Sequence, residues 1–372
     1  MKKLLFALIL FAACTVQKKD LSKQPIIFVG TYTQKLGHVD GKATGIYTCR
    51  LDEMTGEMTV IDSTTDIPNP TFLSISPDKK YLYSVGELSG NGLERLGRVA
   101  AYKITERGKL LKINELPSYG NAPCHISTDK TGKFVFVANY VTGNIASYGV
   151  KADGGLTDSI CMIRHDAKEP FSHNIQPSVD NKNVFAVDKG ADKIYIYELA
   201  ENGQLIPKSN ISTAAGAGPR HLDFNPKNPQ QFVVINENSS ALGSYTYDAK
   251  TLTINLLDSL STLPKDFAGK NTCADVHFHP NGKFVYGSNR GHNSIVIYSF
   301  DAATGKLTFI GHESTQGEIP RNFMITPNGK LLLAANQNSS NVVAFKIDET
   351  TGKLTPTGII NRIPTPVCLK ML

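Results

Sequence analysis

Long helical runs are missing from this sequence. After the first dozen of its 372 residues, no stretch repeats Ala, Glu, Leu and Lys at helical period, which excludes a helical bundle. Clustered positive charge is missing too. Thirty-nine Lys and Arg against 33 Asp and Glu leave a formal +6 with no basic stripe, so nucleic acid is not an expected partner. Cysteine is scarce. Apart from Cys14, the cysteines Cys49, Cys124, Cys161, Cys273 and Cys368 are an odd five without C-x-x-C or C-x-x-H spacing, which argues against a zinc ribbon and a full disulfide framework. These patterns call for no metal and no cofactor. The nucleophile elbow G-x-S-x-G is also absent, and with it the usual route to an acyl-enzyme.

What is present is turn chemistry and short apolar strands. Gly 31, Pro 19 and Tyr 14 fit an all-β protein, and 41% hydrophobic residues suffice for a large core. The N-terminus reads as an address. Lys2 and Lys3 precede "LLFALILFAA", an apolar run too short to span a bilayer comfortably, and "FAAC" resembles a bacterial lipobox. The expected organisation is a lipoprotein signal peptide over 1–13, lipidation at Cys14, a polar tether over 14–24 and one domain over 25–372. The protein is then exported and held in the bacterial cell envelope by its lipid anchor alone, since acyl chains in combination anchor where one does not.

A repeat of roughly 50 residues sets the architecture. A strand ending in a turn recurs as "FLSISPDKK", "HISTDKTGK", "HNIQPSVDNK", "HLDFNPKNP", "DVHFHPNGK" and "NFMITPNGK". An apolar strand closing on polar residues follows as "YLYSVGE", "FVFVANY", "NVFAVDK", "QFVVINE", "FVYGSNR" and "LLLAANQ", with "IIFVGTY" as a seventh. A hairpin such as "NSIVIYSFDAATGKLTFIG" completes each unit. Four antiparallel strands per unit make a propeller blade, and seven second strands make seven blades. The first unit lacks its own first strand, and "TPVCLKML" at the C-terminus supplies one, so the ring closes by joining both chain ends in one blade.

Aligning the blades on the first turn gives a column at the start of strand one: Phe72, His125, His173, His221, Asp275, Asn322 and Cys368. The residues before them are Thr71, Cys124, Ser172, Arg220, Ala274, Arg321 and Val367. A second column, at the end of strand two, holds Tyr32, Glu87, Tyr140, Lys189, Glu237, Arg290 and Gln337. Antiparallel pairing sets the start of one strand beside the end of the other, so both columns meet at one mouth of the central channel. Arg220, Glu237, Arg290 and His173 break the pattern of their columns there, which marks them as functional. His125, His221, Arg321, Gln337, Glu87 and Asn289 are expected to bind substrate around them. Asn139, Asn236, Asn289 and Asn336 also read as turn-fixing side chains.

The segments "GPRHLDFNP", "ADVHFHPNGKFVYGSNRGHNSI", "IPRNFMITPNGKLLLAANQNSSNVVAF" and "HISTDKTGKFVFVANYVTGNI" resemble the seven-bladed propeller lactonases of the bacterial 6-phosphogluconolactonase type. That family includes the fungal carboxy-cis,cis-muconate lactonizing enzymes. The resemblance covers the chain beyond the tether and implies a hydrolase acting on a small sugar lactone. By position it implies that His173 and Glu237 match the family's active-site His and Glu, and that Arg220 and Arg290 match its two arginines. Water would attack the lactone directly, with His173 or Glu237 as proton acceptor and the arginines as electrostatic clamps. Two other readings stand beside it. One is a non-catalytic ligand-binding propeller of the cell envelope. The other is a metal-dependent hydrolase with His125, His173 and His221 converging on an ion.

Overall fold

The computed structural model describes residues 20–90 and 96–372. The expected signal peptide, Cys14 and most of the expected tether lie outside the described residues. Seven four-stranded antiparallel sheets make up the ring, with one two-stranded hairpin, Lys35–Leu36 with Val39–Asp40, added to the first blade. A three-residue 3-10 turn, Leu21–Lys23, is the only helix among the described residues.

Blade 1 runs from the inside out as Pro366–Met371, Ile26–Thr31, Ile46–Leu51 and Met58–Thr64, so the C-terminal strand is the innermost and the ring closes as expected. Gly30 pairs with Cys368 and Val29 with Leu369 across that closure. Blades 2 to 7 begin with the inner strands Leu73–Ile75, Pro123–Thr128, Ser172–Pro177, Pro219–Phe224, Thr272–Phe278 and Pro320–Ile325.

Burial follows position in the blade. Second strands such as Gln231–Asn236 are buried at every residue because sheets pack on both faces. Outer strands such as Leu205–Ser212 are mostly open to solvent. The apolar clusters sit between neighbouring blades, as with Phe284, Tyr286 and Ile295 of blade 6 against Leu332, Val343 and Phe345 of blade 7. The outer hairpins lock the blades together. Gly352 turns at φ 73° in blade 7, its carbonyl accepts from Tyr286 Oη at 2.8 Å, and a Cβ there would lie 2.5 Å from Phe284. Only glycine combines that backbone with that contact.

Candidate active site

Two backbone devices build the mouth. In six of the seven blades the residue ending strand two is tied across to the residue that leads into strand one, while in blade 6 Arg290 pairs with Thr272 within the ladder. Glu237 N–H bonds to Gly218 O at 2.6 Å, Lys189 to Phe171 at 2.9 Å, Tyr140 to Ala122 at 2.9 Å and Glu87 to Asn69 at 2.9 Å. The inner strands then bulge. The ladder shifts between Pro123 and His125, Ser172 and Asn174, Pro219 and His221, and Pro320 and Asn322. The unpaired residue of each bulge is Cys124, His173, Arg220 or Arg321. Bulges re-aim side chains, and here they turn them toward the channel mouth.

This register corrects one expectation. Asn174, not His173, pairs at the level of His125, His221 and Asn322. The alignment slipped because Pro177 precedes the turn of blade 4, whereas Pro77, Pro226, Pro280 and Pro327 follow the turn-closing residues Ser76, Asn225, His279 and Thr326. His173 therefore stands one level nearer the mouth, in the ring of Arg220 and Arg321.

The mouth opens into a cavity of about 530 Å³, within the range of small-molecule sites. Glu87, Glu237, Arg290, Arg321, His173 and Cys124 line it, and Leu36 and His38 of the hairpin cover one side. One wall is organised by Glu237. Lys189 Nζ donates to its Oε1 at 2.6 Å, while Arg220 Nε and Arg290 Nη2 both lie 3.0 Å from its Oε2. The Arg220 contact is an ion pair without hydrogen-bond alignment, since Nε has no aligned acceptor. Arg290 Nη2 also donates to Cys273 O at 2.8 Å, and Lys189 Nζ to Tyr140 Oη at 3.1 Å. Burial opposes the charge on Glu237, but Arg290, Arg220 and Lys189 outweigh it and hold the carboxyl at about 2. Burial and the neighbouring Arg290 and Arg321 lower Arg220 to about 10, which leaves it charged at neutral pH. Burial first, then Arg220, His221 and Arg321, push His173 well below the usual imidazole value. Its ring is neutral at pH 7, with Nδ1 lacking a hydrogen-bond partner.

The opposite wall has no ion pair among the described residues, although burial works against the charge on Arg321 and the neighbouring Glu87 favours it. Tyr32 Oη donates to Glu87 Oε1 at 2.8 Å, and Thr71 Oγ1 to Glu87 Oε2 at 2.6 Å. Arg321 stacks over the Tyr32 ring at 5.4 Å and makes no ion pair among the described residues.

Below the cavity the channel is plugged. His125 stacks on Phe72 at 4.3 Å and its Nε2 meets the Asn174 amide at 2.9 Å. His221 Nδ1 lies 2.7 Å from Asp275 Oδ1, and its Nε2 lies 3.2 Å from Arg220 Nη1. These two histidines line no part of the large cavity. His221 reaches only a small void beneath it. Each ring nitrogen they present has a protein neighbour. The His221 ring lies 5.6 Å from that of His125 and 5.2 Å from that of His173, centroid to centroid, yet among the described residues no group of three His, Cys, Asp or Glu is placed to hold a metal ion. Asn289 is fully buried and bonds Thr262 and Ser294, which makes it a clip between strand and loop. Gln337 is 2% exposed, bonds Asn338 and lies off the cavity.

Lys189, Tyr32 and His38 belong to the site without having been singled out. The first two were visible in the second column. His38 sits in an insertion that no repeat alignment places. A buried Ser172–His165–Asp188 group beside blade 4 has the members of a hydrolase triad but not its geometry. Ser172 Oγ and Asp188 Oδ2 both contact the same nitrogen, His165 Nδ1, at 3.0 and 2.7 Å.

Residues 26–371 match the family model described as Lactonase, 7-bladed beta-propeller. A 6-phosphogluconolactonase of Bacillus subtilis is 33% identical over 80% of this chain and 84% of its own length. One from Formosa agariphila is 36% identical over 80% of this chain and 86% of its own. The solved structure of the periplasmic gluconolactonase of Pseudomonas aeruginosa superposes with a TM-score of 0.85 at 28% identity, covering 94% of this chain and 99% of that one.

Proposed function

The chain belongs to the seven-bladed β-propeller lactonases, and we propose that it hydrolyses a sugar lactone in the cavity at the channel mouth. The observation that carries this reading is Glu237 gathering Arg220, Arg290 and Lys189 on one wall of that cavity. Water attacks the carbonyl carbon and the C=O pair moves onto oxygen. The resulting oxyanion meets guanidinium groups already held in place on the cavity wall. Arg290 and Arg321 line the cavity and supply that charge. Collapse restores the carbonyl, breaks the ring C–O bond and yields the hydroxy acid. His173, kept neutral among cations, offers the water an uncharged hydrogen-bonding partner. Glu237, with both oxygens on cations, is the keystone that fixes their positions, and we do not assign it the water's proton.

The substrate we favour is a free sugar lactone. Lipidation at Cys14 would hold the domain on the envelope, and the Pseudomonas relative is described as a periplasmic gluconolactonase. A pH-indicator assay on free and 6-phosphorylated gluconolactone, with and without a chelator, tests the reading. Turnover above the spontaneous rate, insensitive to chelation, is expected. Ligand binding without turnover would make this a binding propeller instead. Labelling with radioactive palmitate, lost in Cys14→Ser, tests the anchor.

A further inference from the structure

The clamp leaves a second carboxylate in the same cavity without a task. Glu87 follows the strand Tyr81–Gly86 of blade 2 and is 8% exposed. It lines both the large cavity and the small void beneath it. Each of its oxygens receives one neutral hydroxyl, Tyr32 on Oε1 and Thr71 on Oε2, and no ion pair reaches it among the described residues. A carboxylate oxygen has two lone pairs, so each keeps one for another donor. Tyr32 is itself fixed from the far side, with His38 Nε2 3.3 Å from its Oη and Arg321 over its ring.

Glu237 differs in kind. Protonating it would break contacts to three cations, whereas protonating Glu87 breaks no ion pair and requires only that a hydroxyl rotate. Resting on the lactonase reading above, we propose that Glu87 is a catalytic residue that takes the proton of the attacking water. As the water oxygen bonds to the carbonyl carbon, its proton passes to a Glu87 oxygen. When the ring C–O bond breaks, the ring oxygen takes that proton back and the carboxylate is restored. Tyr32 and Thr71 are positioning residues that hold the acceptor oxygens toward the cavity.

The test uses the full chain with Glu87→Gln and Glu87→Ala, assayed on the lactone that wild type turns over fastest. Loss of a positioned general base lowers kcat by about 10²–10⁴-fold, with KM changed only a few-fold. Formate added to Glu87→Ala restores at least about ten-fold of the lost rate and leaves wild type unaffected, a response that a purely structural residue would not give. Thermal unfolding of the isosteric Gln variant verifies that it folds. Wild-type kcat in Glu87→Gln overturns the proposal while the lactonase reading stands. A wild-type chain inactive on every lactone overturns the reading beneath it, and the proposal with it.

Discussion

The two walls of the channel mouth come from the same repeat and hold one carboxylate each, yet they are wired in opposite ways. On the wall of blades 4 to 6, Glu237 is surrounded by Lys189, Arg220 and Arg290. On the wall of blades 1 and 2, Glu87 is held by the hydroxyls of Tyr32 and Thr71. Both carboxylates leave the end of strand two with their N–H tied to the loop before strand one, so backbone position does not separate them. Their neighbours do. A carboxylate locked among cations positions charge, and one held by neutral donors keeps lone pairs for chemistry. Identical scaffolding with different side chains is how a repeat protein makes an asymmetric site.

Arg290→Ala should break the cationic wall most severely. The arginine lines the cavity and faces the developing oxyanion, and removing one such donor costs about 10²–10³-fold in turnover. The fold should survive, because Lys189 and Arg220 still balance Glu237. Unchanged turnover in a steady-state assay would mean that this wall is structural.

Stability should separate the two carboxylates next. Glu237→Gln leaves three cations around a neutral amide, and breaking a buried ion pair from one side costs about 3–5 kcal/mol. Glu87→Gln mismatches one hydroxyl bond to a carboxylate, worth about 1.5–3 kcal/mol. Denaturant unfolding of both variants measures the gap, and equal losses would erase the distinction between the walls.

Acid should act in two windows with one sign. His221 is lowered from 6.5 to about 4 by burial and Arg220, and His125 and His173 are lowered as well. Groups whose unfolded forms bind protons more readily lose native stability as pH falls below their ordinary value. Loss should therefore begin below pH 6.5, whereas His277, raised by Asp275 against the cost of burial, gains its stabilisation above 6.5 and changes nothing below it. Glu237, ordinarily 4.5 and held at about 2, adds a second loss between those values. Its stabilisation is complete above 4.5 and gone once pH falls through 2. Unfolding free energy should fall less steeply between pH 4.5 and 2 in Glu237→Gln than in wild type. The remaining acid loss comes from carboxylates such as Asp275, which His277 and His221 hold well below its ordinary value despite burial.

The blade count, the closure by "TPVCLKML" and the pairing of two polar columns at one mouth were legible because turns and apolar alternation repeat seven times. Arg220, Glu237 and Arg290 were legible as departures from that repeat, and Arg321 as a substrate-binding position beside the first column. The level of His173 was not, because Pro177 gave a false anchor and a bulge is set by hydrogen bonding in three dimensions. His125, His221 and Asn289 show the converse. Polar types at the right address turned inward to Asn174, Asp275 and Thr262, and only packing decides which way such a side chain faces. The roles of Glu237 and Glu87 depend on partners from other blades, which no single repeat contains.

The smallest expected effect on turnover comes from a site that belongs to neither wall. Gly352 sits in the outer hairpin of blade 7 at φ 73°, with Phe284 of blade 6 where a Cβ would be. Gly352→Ala forces a side chain into the left-handed region and against that ring, at a cost of about 1–3 kcal/mol. The Tyr286 bond to its carbonyl weakens as the hairpin shifts, so two blades loosen far from the cavity. Stability should fall while turnover per folded molecule stays at the wild-type value. A loss of turnover in that variant at temperatures where it remains folded would show that blade packing is transmitted to the mouth. The difference between the walls would then depend on the spacing of the ring as well as on the side chains that line it.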